Sequence, residues 1–267
     1  MGNYWTKIES EKEDIEQYFG WARDTPDARD LYHNFTINNN QDDIKVVDLR
    51  SKCPAVYDQG KLGSCTANAI AGAYEFDEIK QEEPNLFTPS RLFIYYNERK
   101  MENTINKDNG ASIRDSVKTI NKDGVCKETT YPYDITKFAQ QPPQECYDEA
   151  ENHKCVEYKR VDATLEQLKQ CLIEGFPIVF GFHVYESFKQ TEQTGITPIP
   201  KDGEKLKGGH AICAVGFLED KQVFLCRNSW GSDWNKQMQG YFYMPYEYII
   251  NPKLAGDFWT VRRVVDT

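Results

Sequence analysis

Hydrophobic and polar positions change their rhythm twice along the chain. Residues 1 to about 45 carry charge, Asn and Asp without an apolar period and end in Asn38-Asn39-Asn40-Gln41-Asp42-Asp43, a linker composition. Within this stretch, Gly20-Trp21 and Pro26-Asp27-Ala28-Arg29-Asp30 read as a turn-rich arm with Trp21, Tyr32 and Phe35 as aromatic anchors, packing on a body without a core of its own. Residues 46 to 62 read as extended or turn-like, punctuated by Pro54 and Gly60. The run Cys65 to Phe76 is rich in Ala and other small residues, which predicts a buried helix with Ser64 as its N-cap. Helical spacing recurs over Pro89 to Arg99 and Ser112 to Asn121. Beyond about residue 156, short apolar or aromatic segments bounded by Gly, Pro and acidic turns read as strands: 177–184, 211–218, 222–226, 240–244 and 258–264. Helices first and strands second predict an α+β protein with two lobes.

Composition narrows this picture only a little. A chain of 267 residues can bury a sizeable core, and 39% hydrophobic with 28% charged residues is ordinary for a globular protein. The net charge of −10 and the lack of any Lys/Arg run longer than two argue against a nucleic-acid partner. No stretch approaches the ~18 apolar residues needed to span a bilayer. The polar, acidic segment Ile8 to Asp14 does not resemble a secretory leader, which predicts an intracellular protein or one packaged in a particle. None of the eight cysteines forms a C-x-x-C pair, so zinc and thioredoxin spacings are absent and reduced thiols are the default. Cys171, Cys213 and Cys226 lie in apolar runs and read as small buried hydrophobes, whereas Cys146 and Cys155 are candidates to pair.

Three segments carry candidate chemistry. Cys65 opens a predicted helix, where backbone N–H groups and the helix dipole favour a thiolate. His210 stands at the entry of a predicted strand, after Gly208 and Gly209. Of the other histidines, His33 and His153 lie in polar segments and His183 reads as packing. Asn228 ends an apolar strand and is followed by Ser229-Trp230-Gly231. A thiolate needs a proton partner, and the partner needs an orienting group. An amide oxygen on Asn228 can hold the His210 ring while Trp230 shields that bond from water. Gln59 is placed to supply an oxyanion donor together with the Cys65 N–H.

These motifs resemble those of the papain and cathepsin family. Gln59-Gly60, Gly63-Ser64-Cys65 is similar to its nucleophile motif. Gly209-His210-Ala211-Ile212 with Ala214-Val215-Gly216-Phe217 resembles its histidine motif, and Asn228-Ser229-Trp230-Gly231 with Trp234 and Gly240-Tyr241 its asparagine motif. His210 and Asn228 follow Cys65 by 145 and 163 residues, the second somewhat beyond the family's ~130–150, which predicts an insertion on the sheet side. The resemblance spans about residues 46–250 and also takes in Gly124-Val125 and Tyr131-Pro132-Tyr133. It implies a papain-like two-lobe fold, with a helical left lobe over about 60–155, a β-barrel-like right lobe over about 156–267 and the cleft between them. Residues 46–267 would form the catalytic domain and residues 1–45 an arm or short propeptide. The implied substrate contacts are Gly110, in the stretch Asn109-Gly110-Ala111 that pairs with substrate backbone, Gly209, Trp230, and Gly181. Gly181 lies on a strand lining the pocket for the second residue before the cut, and its small size implies a roomy pocket for a bulky apolar side chain.

The implied activity is cysteine-type peptide hydrolysis through an acyl-enzyme, on protein or peptide substrates, by a monomer with no metal and no organic cofactor. The chain departs from the family at Leu62, where a disulfide cysteine is usual, and at Thr66, where Trp usually follows the nucleophile. The missing disulfide agrees with a reducing compartment. The short N-terminal region, with its Gly20-Trp21 to Tyr32 pattern, is similar to bacterial and viral members and could act as an inhibitor in the groove or as a permanent strap. The stretch from Asp134 to Arg160 falls where cathepsin B carries its occluding loop, yet it holds a single histidine, His153, which favours endopeptidase action over trimming of C-terminal dipeptides. A catalytically silent peptide-binding homologue and an acyl-transfer enzyme are the other readings. Met1-Gly2-Asn3-Tyr4-Trp5-Thr6 fits the N-myristoylation pattern, and Asn34-Phe35-Thr36 is a glycosylation sequon.

Overall fold

The structure, a computed structural model, describes residues 19–33 and 43–266. The myristoylation pattern, the sequon, Phe35 and most of the Asn-rich linker lie outside the described residues.

Helix α1 (Cys65–Lys80) is the spine of the molecule. Thirteen of its sixteen residues are buried, as its run of small and apolar side chains requires. Against it pack α2 (Arg91–Met101) and α3 (Ile113–Lys122), each started by a serine whose hydroxyl accepts an N–H of the first turn, Ser90 from Phe93 and Ser112 from Asp115. Ser64 stands at the N-cap of α1 but does not act as one. Its hydroxyl is taken by Tyr133 Oη and by Asn68 Nδ2.

Among the described residues, eight strands form one sheet. They are β1 (Tyr32–His33), β2 (Val46–Asp48), β3 (His153–Val161), β4 (Ile178–Tyr185), β5 (Leu206–Leu218), β6 (Val223–Arg227), β7 (Tyr241–Pro245) and β8 (Ala255–Asp266). The order is β1-β3-β8-β4-β5-β6-β7, with β2 added on β5, and every pairing is antiparallel except β1 on β3. Strands β4 and β5 read as continuous apolar runs because both faces are covered. Val179, Ala211, Cys213 and Val215 join the core around α1–α3, while Ile178, Phe180, Phe182, Ile212 and Ala214 join a second core beyond the sheet. Helix α5 (Leu165–Ile173) closes that second core with Leu168, Cys171 and Leu172.

The expected helices and strands are present to within a few residues, in a mixed α+β architecture. Strand β3 and helix α5 lacked a sequence signal. The polar pattern of β3 hides it, since only Cys155 and Val161 are buried. All eight cysteines are free. Cys146, on α4 (Gln144–Ala150), meets the thiol of Cys126, not that of Cys155. No described helix is long and apolar enough to cross a membrane.

The arm divides into two parts. Residues 19–22 pass through the cleft between α1 and β5, and residues 23–33 lie along the body. Trp21 is a true anchor at 7% exposure, whereas Tyr32, at 50%, is not.

Candidate active site

Cys65 is the first residue of α1, fully buried, and the Ala211 N–H at the cleft face of β5 points at its sulfur from 3.4 Å. His210 precedes Ala211. Its Nε2 meets Asn228 Oδ1 at 2.8 Å, and its buried Nδ1 has no hydrogen-bond partner. Asn228 follows the last residue of β6, and the same oxygen accepts the Ser229 N–H, so two contacts fix the amide orientation. Trp230 stacks on the His210 ring at 4.8 Å between centroids, a lid over the His210–Asn228 bond. Thus the His210–Asn228 pair and the Cys65 sulfur, which the next residue after His210 reaches, lie at one cleft although far apart in sequence, and His210 Nδ1 has no hydrogen-bond partner.

Gln59 is buried beside them. Its Nε2 donates to the Leu62 carbonyl, its Oε1 accepts the Ser229 hydroxyl and its backbone N–H bonds the Ser229 carbonyl. Tyr133 ties the two flanks together, donating to the Gln59 carbonyl at 2.9 Å and meeting the Ser64 hydroxyl. Arg91 lies 4.0 Å from the Tyr133 ring centroid and also holds the Asp58 carbonyl and Asn68 Oδ1. The sequence showed Tyr133 inside a motif but nothing of its task. Thr66, in place of the family's Trp, turns its hydroxyl onto the buried carboxyl of Glu98, which Ser116 also contacts.

The cleft is filled by the chain's own residues 19–22. The Trp21 N–H donates to the Gly209 carbonyl, the Ala22 N–H to the Ala111 carbonyl, and the Ala111 N–H to the Gly20 carbonyl. Both lobes therefore hold this segment by backbone. Each expected substrate contact touches it. A Cβ on Gly110 would stand 1.8 Å from the Gly20 oxygen, one on Gly209 2.5 Å from the Trp21 oxygen and one on Gly181 1.9 Å from Trp21 Cε2. Phe19 packs against Trp230 and His210. His183, expected only to pack in the core, faces the Trp21 ring at 5.3 Å.

Polarity matters here. The Gly20 backbone N–H is directed at the Cys65 sulfur, and its carbonyl is turned away toward Ala111. Trp21 and Ala111 form a parallel bridge. The thiol thus faces an N–H donor where a substrate would need to present a carbonyl carbon. Burial pushes the Cys65 thiol up to about 12, outweighing the Ala211, Gly20 and Thr66 N–H donors, and pushes His210 down to about 4 against the opposing effect of Asn228. Burial thus works against the thiolate–imidazolium pair anticipated from the helix start.

Residues 23–33 are held differently. Asp24 and Asp30 accept from Arg160 at 2.9 and 3.1 Å, Arg114 pairs with Asp30, and Trp259 Nε1 donates to Asp24. Arg160 also bonds Asp257, whose other oxygen accepts the Trp21 indole N–H and the Asp24 N–H. Nothing local in the sequence marks Asp24, Arg160 or Asp257, because the partners lie 97 to 236 residues apart.

Comparison with known proteins gives the family and the fold. A family model described as papain family cysteine protease matches residues 44–253. The chain is 47% identical over 94% of its length, and 89% of the relative's, to an uncharacterized peptidase C1-like protein of Acanthamoeba polyphaga mimivirus. It superposes on xylellain, a cysteine protease from Xylella fastidiosa, with a TM-score of 0.84 and 40% identity over 94% of this chain and 98% of that one. The procathepsin B of Trypanosoma congolense, at 15% identity and a TM-score of 0.73 over 95% of this chain and 88% of that one, shares the fold. A thiol, an amide-held imidazole and a backbone-lined cleft, on a chain matched over most of its length, place this protein in the papain family of cysteine peptidases.

Proposed function

We propose that the chain is an endopeptidase working through Cys65, His210 and Asn228, and that its own residues 19–22 hold it inactive. The observation that carries this reading is the cleft itself: backbone groups of both lobes grip an extended segment directly over the Cys65 sulfur, beside a His210 ring oriented by Asn228.

With the segment displaced, His210 Nδ1 takes the Cys65 proton. The thiolate attacks the substrate carbonyl, and the Gln59 side-chain amide and the Cys65 N–H stabilise the oxyanion. His210 then protonates the leaving amine, and water, deprotonated by the same ring, releases the acyl group. Ala111 and Gly209 supply the backbone bonds that the arm now uses. Endopeptidase action is favoured because the segment continues past the sulfur on both sides, to Phe19 beside Trp230 and to Ala22 beside Ala111. The stretch where an occluding loop would fall packs instead on α2, through Tyr147 on Asn97 and the Phe138 carbonyl on Arg99. The eight unpaired thiols suit a reducing compartment.

Inhibition in this reading follows from reversed polarity, with burial that disfavours the thiolate acting in the same direction. The test is cleavage of a denatured protein mixture with reductant, read by mass spectrometry, for the wild type, Cys65→Ala and an arm-displaced variant such as Gly20→Ala. Internal cuts by the arm-displaced protein that vanish on adding Cys65→Ala are expected. Equal cutting with and without Cys65 would sink the reading.

A further inference from the structure

Arg91 stands where a helix gains nothing from it. It is the first residue of α2, at the end where the helix dipole favours an anion, and the first turn holds no acidic residue. It is also buried. A cation there works against the helix, so its use lies in what the guanidinium holds.

Its hydrogen bonds fall into two pairs. Nε and Nη2 form a fork on the Glu128 carboxylate at 2.8 and 2.6 Å, which balances the charge. Nη1 is left for two neutral acceptors, the Asp58 carbonyl and Asn68 Oδ1, each at 3.1 Å. The Tyr133 and Tyr57 ring centroids lie 4.0 and 4.8 Å from the guanidinium carbon.

The two neutral acceptors lead to different places. The Asp58 carbonyl belongs to the peptide unit that carries the Gln59 N–H, and that N–H donates to the Ser229 carbonyl at 2.8 Å. This unit is therefore held at both ends, directly before the Gln59 side chain. Asn68 turns its oxygen to Arg91 and its Nδ2 to the Ser64 carbonyl, at 2.9 Å. The Ser64 carbonyl belongs to the peptide unit that carries the Cys65 N–H. One guanidinium nitrogen thus reaches both groups proposed to hold the oxyanion. It also fixes the Asn68 amide, because a reversed amide would aim its NH2 at the guanidinium and its oxygen at the Ser64 carbonyl.

We propose that Arg91 is a positioning residue that sets the two oxyanion donors relative to each other, Gln59 through the Asp58 carbonyl and the Cys65 N–H through Asn68. This rests on the peptidase reading for what the donors do. Lysine cannot replace it, since a point charge lacks the planar fork that holds Glu128 and both neutral acceptors at once.

The test uses the full-length chain carrying Gly20→Ala and Trp21→Pro. A Cβ on Gly20 would stand 1.8 Å from the Gly63 oxygen, and the proline removes the N–H that Gly209 accepts, so the backbone over the sulfur loses its seat. Two probes of Cys65 are compared in this protein. A peptidyl aldehyde forms an adduct that places an oxyanion between the donors, whereas iodoacetamide needs only the thiolate. Any residual closure of the arm raises the aldehyde Kd and lowers the alkylation rate constant by the same factor, so their product reports on the donors alone. Arg91→Lys should raise that product by roughly ten- to a hundredfold, lower kcat by a like factor with KM nearly constant, and leave the pH profile of alkylation in place. Glu128→Gln loosens the fork and should raise the product by roughly two- to fivefold, which decides the matter if Arg91→Lys does not fold. An unchanged product, or a displaced alkylation profile, overturns the proposal. A product that depends on Arg91 in a protein without any Cys65-dependent cleavage keeps the positioning role and overturns the peptidase reading.

Discussion

The two halves of the described arm are held by opposite physics. Residues 19–22 lie in the cleft on neutral backbone bonds and one indole, against glycines that any extended peptide could approach. Residues 23–33 are bound by a buried charge network of Asp24, Asp30 and Asp257 with Arg114 and Arg160, and by β1 pairing with β3. The first half lies where the proposed function would put a substrate, though with reversed polarity. The second half is bound to this body by charge. An arm acting as proposed, yielding to substrate without falling away, would need both.

The largest expected effect separates them. Arg160→Met leaves three carboxylates in a buried site with Arg114 as their remaining cation in the network, and losing one partner of such a pair costs about 3–5 kcal/mol. Thermal denaturation should show that loss at neutral pH, and a Tm unchanged from wild type would end the claim that the strap is integral to the fold.

Acid should divide the halves next. The closed cleft pushes His210 down to about 4, below its ordinary 6.5, so the contribution of the neutral ring to closure is complete above pH 6.5 and is lost as pH falls toward 4. Asp24 has the opposite sign. Burial first, and then Asp257, raise its pKa, so falling pH relieves the cost of keeping it in the strap. Hydrogen exchange at pH 4.5 against pH 7, corrected for intrinsic rates, should show the Trp21 and Ala22 amides opening by roughly ten- to a hundredfold, at about tenfold per unit of pKa shift. The Arg160 amide, bonded to the Leu31 carbonyl, should not follow. Parallel opening of both would erase the distinction.

A smaller push acts on the cleft segment alone. A Cβ on Gly20 would stand 1.8 Å from the Gly63 oxygen, and overpacking of this kind costs about 1–3 kcal/mol. Gly20→Ala should therefore speed iodoacetamide labelling of Cys65 by roughly five- to a hundredfold at pH 7 with little change in Tm. Labelling at the wild-type rate would mean that the segment does not guard the thiol.

How much of this was legible beforehand follows from where the partners lie. Cys65, His210 and Asn228 each sit in a short motif whose neighbours (Gly63-Ser64, Gly208-Gly209, Ser229-Trp230) travel with them, so local reading reached residues that the fold then brings together. The groove glycines were legible for the same reason. The strap was not, because Asp24, Arg160 and Asp257 look like ordinary surface charges until the chain folds. Strand β3 was hidden by its polar faces, and Ser64 looked like a cap because sequence cannot show Tyr133 claiming its hydroxyl.

That claim on Ser64 carries the smallest and most specific prediction. The Tyr133 hydroxyl touches both flanks of the proposed oxyanion hole, the Gln59 carbonyl and the Ser64 hydroxyl just before the Cys65 N–H. Tyr133→Phe keeps the ring under Arg91 and removes only that tie, a loss of about 0.5–1.5 kcal/mol. In the arm-displaced protein, kcat should fall by roughly two- to tenfold with KM nearly constant, since the oxyanion forms only after binding. A peptidyl aldehyde, whose adduct carries that oxyanion, should weaken by the same factor while alkylation of Cys65 by iodoacetamide stays unchanged. If alkylation slows equally, Tyr133 supports the thiol itself and not the geometry of the hole.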